Sequence, residues 1–150
     1  MGLNTQNSSL DTRHGFTMIE VIIAIAILSI LFGLGLFLSM DFYRAYLFRY
    51  ERNLAVSLLE KSRSRAMANI GQLPHGVRFD LGTSEYIMFY GSVEERIQAS
   101  KAVTIDWPND VVFDQLSGDC TTCSPTLDIT ISHNARTAII TVNSEGTVLW

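Results

Sequence analysis

Cys120 and Cys123 stand in the run Gly118-Asp119-Cys120-Thr121-Thr122-Cys123-Ser124-Pro125, and their spacing has three chemical uses. A zinc site needs two further ligands, and His75 and His133 each stand alone in the sequence. A thioredoxin-like redox centre needs a βαβ setting with the first cysteine opening a helix. Ser124-Pro125 argues against a helix there. A structural disulfide closing a small loop outside the cytoplasm is the expectation. Asp106, Asp110, Asp114 and Asp119 could in principle hold calcium, but no D-x-D-x-D-G spacing occurs, and solvated loop acids are expected. The histidines, serines and acids show no nucleophile–base spacing, and no glycine loop could cradle a phosphate. No catalytic residue, metal or cofactor is expected, so the chain reads as no enzyme.

Glu20 is the other residue that could do chemistry. It stands at the head of Val21–Met40, 20 residues without charge or proline. That length matches what a helix needs to cross a bilayer core. An unpaired charge at its edge costs on the order of 2.5 kcal/mol or more, so such an acid is a functional residue by default. The bland alternative is a snorkelling carboxylate without a role. A removable secretory signal would have a shorter apolar region behind a basic start; here Arg13 and His14 stand beside Asp11. Arg44, Arg49 and Arg52 follow the apolar run while Arg13 alone precedes it, which runs against the positive-inside rule for an exported C-terminal part. Within the run, Ser29 and Gly33 form a small-xxx-small pair that lets helices approach closely, with Ala26 and Gly35 nearby. Chance composition explains that pair equally well.

The rest of the chain must position these groups. The net charge of −4, with two lysines (Lys61 and Lys101), leaves no electrostatic footprint for nucleic acid. Residues 1–15 are polar and read as a leader without a fold. Residues 16–40 form the transmembrane half of a helix. Residues 41–70 continue it as an amphipathic half, with Tyr43, Leu47, Tyr50, Leu54 and Leu58 recurring at helical steps. A helix from Phe16 to Asn69 would be about 80 Å long, too long to bury itself in one small domain. Gly71 and Pro74 end it. Residues 71–150 then change period, with strands expected over Val77–Asp80, Glu85–Tyr90, Val103–Trp107, Val111–Asp114, Leu127–Ser132, Thr137–Val142 and Thr147–Trp150. Turns are expected at Gly82-Thr83-Ser84, at His133-Asn134-Ala135-Arg136 and at Asn143-Ser144-Glu145-Gly146. The fold class is α+β: a long N-terminal helix packed, through its Tyr43/Leu47/Leu54 face, against a C-terminal antiparallel sheet.

Gly15-Phe16-Thr17-Met18-Ile19-Glu20-Val21, a polar head joined through Gly-Phe to an apolar helix with one acid, resembles the class III signal of type IV pilins and pseudopilins. The resemblance implies a pilin-like fold and a membrane peptidase that cuts after Gly15 and methylates the new N-terminal Phe16. Glu20 would be the fifth mature residue. Its carboxylate would meet the ammonium of Phe16, on its own chain or a neighbour's, so Glu20 is an assembly residue. Ser62-Arg63-Ser64-Arg65-Ala66-Met67 followed by His75-Gly76-Val77-Arg78-Phe79 is similar to the H-type minor pseudopilins of type II secretion and their minor-pilin relatives. Ser62 and Arg65 stand where that pattern has Ala and Glu. The implied role is structural: a single-pass subunit of the inner membrane, its head in the periplasm or outside, assembled into a pseudopilus or pilus. The implied partners are prepilin peptidase, other pseudopilins or pilins, the inner-membrane assembly platform and membrane lipid, with no nucleic acid. Two other functions compete: a membrane-anchored thiol-disulfide oxidoreductase using Cys120 and Cys123, and a DNA-uptake minor pilin. The latter would want basic residues near the C-terminus, and Asn143–Trp150 has none.

Overall fold

The computed structural model describes residues 15–150. The expected leader lies, apart from Gly15, outside the described residues. The dominant element is α1 (Met18–Met67, 50 residues), which contributes to both compact units of the chain, Met1–Met40 and Asp41–Trp150. It starts two residues later than expected, because Thr17 caps it. The Glu20 amide approaches the Thr17 carbonyl at 3.1 Å and its hydroxyl at 3.4 Å. Thr17-x-x-Glu20 is the sequence pattern of a helix start.

In the first unit every side chain whose exposure is defined is exposed to solvent, including Ile19, Ile22, Leu28, Leu31 and Phe32. The helix is long and apolar enough to cross a membrane. Among the described residues of the unit none covers that surface.

In the second unit the remainder of α1 buries Phe48, Glu51, Ala55, Val56, Leu58, Leu59, Ser62 and Ala66. This face is rotated from the expected one: Tyr43 is 63% exposed, Tyr50 is exposed, and Leu54 is only partly buried. Bulk misled the pattern. Ala55, Ser62 and Ala66 are small enough to let strands come close, and Tyr43, Tyr46 and Tyr50 point away.

Two four-stranded antiparallel sheets meet that face, where one was expected. The first takes the order β3-β2-β1-β5 from β1 (His75–Asp80), β2 (Glu85–Tyr90), β3 (Val93–Gln98) and β5 (Val111–Phe113). The second takes the order β4-β6-β7-β8 from β4 (Thr104–Asp106), β6 (Thr126–His133), β7 (Arg136–Asn143) and β8 (Val148–Leu149). Val77, Tyr86, Met88, Val111 and Phe113 of the first sheet join Ile129, Ile131, Ile140 and Val142 of the second in one core with Ala55, Leu58 and Leu59. Strand β3 was not expected. Its sequence Val-Glu-Glu-Arg-Ile-Gln lacks apolar alternation because it is an exposed edge. The helix ends at Met67, earlier than Gly71, because Asn69 adopts the left-handed conformation (φ 54°). The β7–β8 turn forms as expected: Gly146 has φ 73°, and a Cβ there would collide with the Gly118 carbonyl.

One buried carboxylate holds the helix to the sheets. Glu51 is 0% exposed. Its Oε2 accepts from the Tyr86 hydroxyl of β2 at 3.2 Å, and its Oε1 accepts from the Ser100 amide at 2.7 Å. Trp107 packs edge-on against the Tyr86 ring at 5.9 Å. Burial, then the Glu51 charge, pushes the Tyr86 phenol far above its ordinary value of 10.0. The folded state therefore keeps a proton that the unfolded chain releases above about pH 10, so this contribution to stability is intact below pH 10 and falls as pH rises further. Tyr86→Phe should cost about 1–3 kcal/mol at neutral pH, because a buried carboxylate loses a donor. Urea unfolding of the detergent-solubilised chain, followed by tryptophan fluorescence, should show the gap between wild type and variant shrinking above about pH 10. A gap that stays constant would contradict the coupling.

Candidate functional site

The N-terminal site is built on the first turn of α1. Gly15, Phe16 and Thr17 precede the helix in non-helical backbone, and all three are exposed. Phe16 is 81% exposed, and a Cβ built on Gly15 meets nothing within 4 Å. Among the described residues nothing covers the Gly15–Phe16 bond, and none makes a contact that requires glycine there. Phe16 and Glu20 line one shallow groove with Val21, Ala24 and Ile25. The i, i+4 spacing thus brings the two together on one side of the chain. Glu20 has a second role that the sequence reading missed. It is the acid in the first turn of α1, where the helix dipole favours negative charge by about 0.3–1 kcal/mol. The Thr17-x-x-Glu20 spacing was the available signal.

Further along, the Ser29 hydroxyl donates to the Ile25 carbonyl at 2.8 Å, so it is satisfied inside its own helix. A Cβ on Gly33 meets open space. Ser29 and Gly33 therefore offer a low, apolar surface rather than a hydrogen-bonding one.

In the head, Cys120 and Cys123 are joined by a disulfide, and both are buried. Cys120 forms an isolated bridge with Phe113, and its amide donates to the Ser144 carbonyl at 2.9 Å. The bridge thus ties the end of β5 to the β7–β8 turn. No helix follows Cys120. The two histidines are occupied elsewhere: His75 Nε2 lies 2.7 Å from the Ile70 carbonyl, and His133 Nδ1 lies 2.5 Å from that of Ala102. Among the described residues no three His, Cys, Asp or Glu side chains come together as a cation site.

The structure also assigns work to residues the sequence did not single out. Arg63 reaches from α1 to two loops, with Nε donating to the Gly118 carbonyl at 3.3 Å and the guanidinium donating to the Glu145 carbonyl at 2.9 Å. Lys61 and Arg65 flank it and share Glu95 of β3 at 3.0 and 3.3 Å. The Lys61 hydrogen bond, with help from Arg65, holds the Glu95 carboxyl below the usual carboxylate range. Lys61, Arg63 and Arg65 thus tie β3 and two loops of the head to the helix. Glu51 could have been suspected as an acid three residues after Phe48 and four before Ala55, on the apolar stripe.

This is an α+β protein of pilin-like architecture, one long N-terminal helix packed at its C-terminal half against antiparallel sheets. A family model for the prokaryotic N-terminal methylation motif matches residues 11–36. No curated protein and no solved structure matches the chain. The matched segment contains Gly15, Phe16 and Glu20, and with it the resemblance to type IV pilins and pseudopilins holds. Within the matched residues 11–36 the chain thus carries a prokaryotic N-terminal methylation motif, similar to that of type IV pilin-like precursors.

The disulfide yields a prediction. In protein recovered from the extracytoplasmic side of cells, Cys120 and Cys123 should resist alkylation until reduced. Replacing both with Ala should cost about 1–3 kcal/mol, since a short loop gains little from closure. Free alkylation of both thiols in the folded protein would contradict the bond.

Proposed function

We propose that the chain is a minor pseudopilin or minor pilin, a structural subunit without catalytic activity. It waits in the inner membrane as a single-pass protein with its head on the periplasmic side. Prepilin peptidase cuts after Gly15 and methylates Phe16. The assembly platform then moves the subunit into a pseudopilus or pilus beside other pilin-like subunits. The observation that carries this reading is the exposed apolar stretch of α1, headed by Gly15-Phe16 and Glu20 within the methylation motif. Such a surface is stable only in lipid or against like helices. The similarity of Ser62–Met67 and His75–Phe79 to the H-type minor pseudopilins supports that subtype among the possible relatives, with Ser62 and Arg65 departing from the pattern.

The oxidoreductase alternative finds little support. Its sulfurs would need to be accessible at a helix start, whereas Cys120 and Cys123 are buried in a loop. The DNA-uptake alternative lacks basic residues over Asn143–Trp150.

Glu20→Ala separates processing from assembly. Cleavage depends on access to the Gly15–Phe16 bond, so the variant should be cut normally and should remain in the membrane. Assembly should fail, because the Phe16 ammonium is left without its partner in a dry interface, at a cost of about 3–5 kcal/mol. Co-purification of the processed variant with other pilin-like subunits should be lost. Undiminished co-purification, with normal secretion or piliation, would leave Glu20 with no part in assembly.

A further inference from the structure

A cleft of about 340 Å³ lies between the first turn of α1 in the second unit and the tip of the β6–β7 hairpin, lined by Asp41, Arg44, His133, Asn134, Ala135 and Arg136. Arg44 and Arg136 differ from most other arginines here. Arg52, Arg63, Arg65, Arg78 and Arg96 all donate to a side-chain or backbone acceptor. Among the described residues, Arg44 and Arg136 form no ion pair, and both are exposed. Each guanidinium keeps a planar fork of donors suited to phosphate oxygens. The hairpin tip that carries Arg136 is held in place by the contact of His133 Nδ1 with the Ala102 carbonyl. Asp41 adds one negative charge to the same cleft.

The position of the cleft along the chain matters as much as its charge. Asp41 directly follows Met40, where the uncharged run ends, and Arg44 lies within one helical turn of it. Phe42, Tyr43 and Tyr46 stand beside them, all more than 60% exposed. Exposed aromatic residues at the end of a membrane-length apolar helix belong at the headgroup level. Two cations and one anion there face lipid headgroups first.

We propose that this cleft binds a phospholipid headgroup carrying both a phosphate and a primary ammonium, with Arg44 and Arg136 on the phosphate and Asp41 on the ammonium. This rests on α1 spanning the membrane. It also accounts for the first of the basic residues that follow the apolar run. Arg44 is a headgroup ligand on the exported side rather than a signal for cytoplasmic retention.

The test reconstitutes the full chain into vesicles of equal parts phosphatidylethanolamine, phosphatidylglycerol and phosphatidylcholine, then counts retained lipids by native mass spectrometry. Wild type should retain phosphatidylethanolamine over the other two by about tenfold, the scale of one charge-assisted hydrogen bond. Phosphatidylcholine has the phosphate but no N–H for Asp41, and phosphatidylglycerol has no cation. Arg44→Gln with Arg136→Gln should abolish retention. Asp41→Asn should keep retention but erase the preference. Arg49→Gln, an exposed arginine outside the cleft, should behave as wild type. Equal retention by wild type and the double variant, an equal loss in Arg49→Gln, or displacement by millimolar inorganic phosphate would each overturn the site. A chain that fails to float with the vesicles at all would contradict the membrane-spanning reading, and the headgroup site with it.

Discussion

Among the described residues of its own unit, nothing covers the apolar first half of α1. Side chains such as Ile19, Ile25, Leu28 and Phe32 are all more than half exposed. At about 25 cal/mol per Å² such a surface cannot stay in water, so the helix must be solvated by lipid or by copies of similar helices. Backbone hydrogen bonding sets the same condition, because a continuous helix satisfies its own amides across a bilayer. The polar features of the segment follow from it. Glu20 and the Thr17 cap stand at its entrance, and the Ser29 hydroxyl bonds to its own backbone.

The head meets a different demand: it must seize one face of the same helix firmly enough to act as a rigid body. It does so with polar anchors at three levels. Glu51 engages Tyr86 and Ser100, Lys61 and Arg65 engage Glu95, and Arg63 engages the carbonyls of Gly118 and Glu145. Glu51 differs in kind from the others. The Glu95 pairs are exposed and contribute modestly, whereas a fully buried carboxylate is costly unless both oxygens are satisfied. Its two donors come from β2 and from the segment after β3, so the charge is tolerated only when the first sheet lies in register against the helix. Packing alone would permit the sheet to slide along α1; the buried acid specifies one position.

Periodicity and turn chemistry revealed much of this fold in advance. The membrane-length run, the change of period near Gly71, the Gly146 turn and the Cys120–Cys123 bridge all rest on local rules, and local rules can be read residue by residue. Three features could not be read that way. The buried face of α1 is marked by Ala55, Ser62 and Ala66, whose value is their small size opposite strands, which only tertiary contact defines. Strand β3 owes its place to Met88, Phe89 and their neighbours across the ladder, since its own Glu94, Glu95 and Arg96 carry no strand pattern. The division into two sheets depends on β4 pairing with β6, across more than twenty residues of chain. At the N-terminus the motif residues were recognisable by type, while the capping part played by Thr17 and Glu20 emerged only with the helix boundary.

Under the proposed function, the segment from Gly15 to Glu20 is a processing site and the remaining chain works as a mature, lipid-anchored subunit. The most direct measurement is the intact mass of the protein extracted from membranes of cells with an active prepilin peptidase. The expected mass is that of a chain beginning at Phe16 and bearing one added methyl group. A mass that still includes residues 1–15 would contradict it.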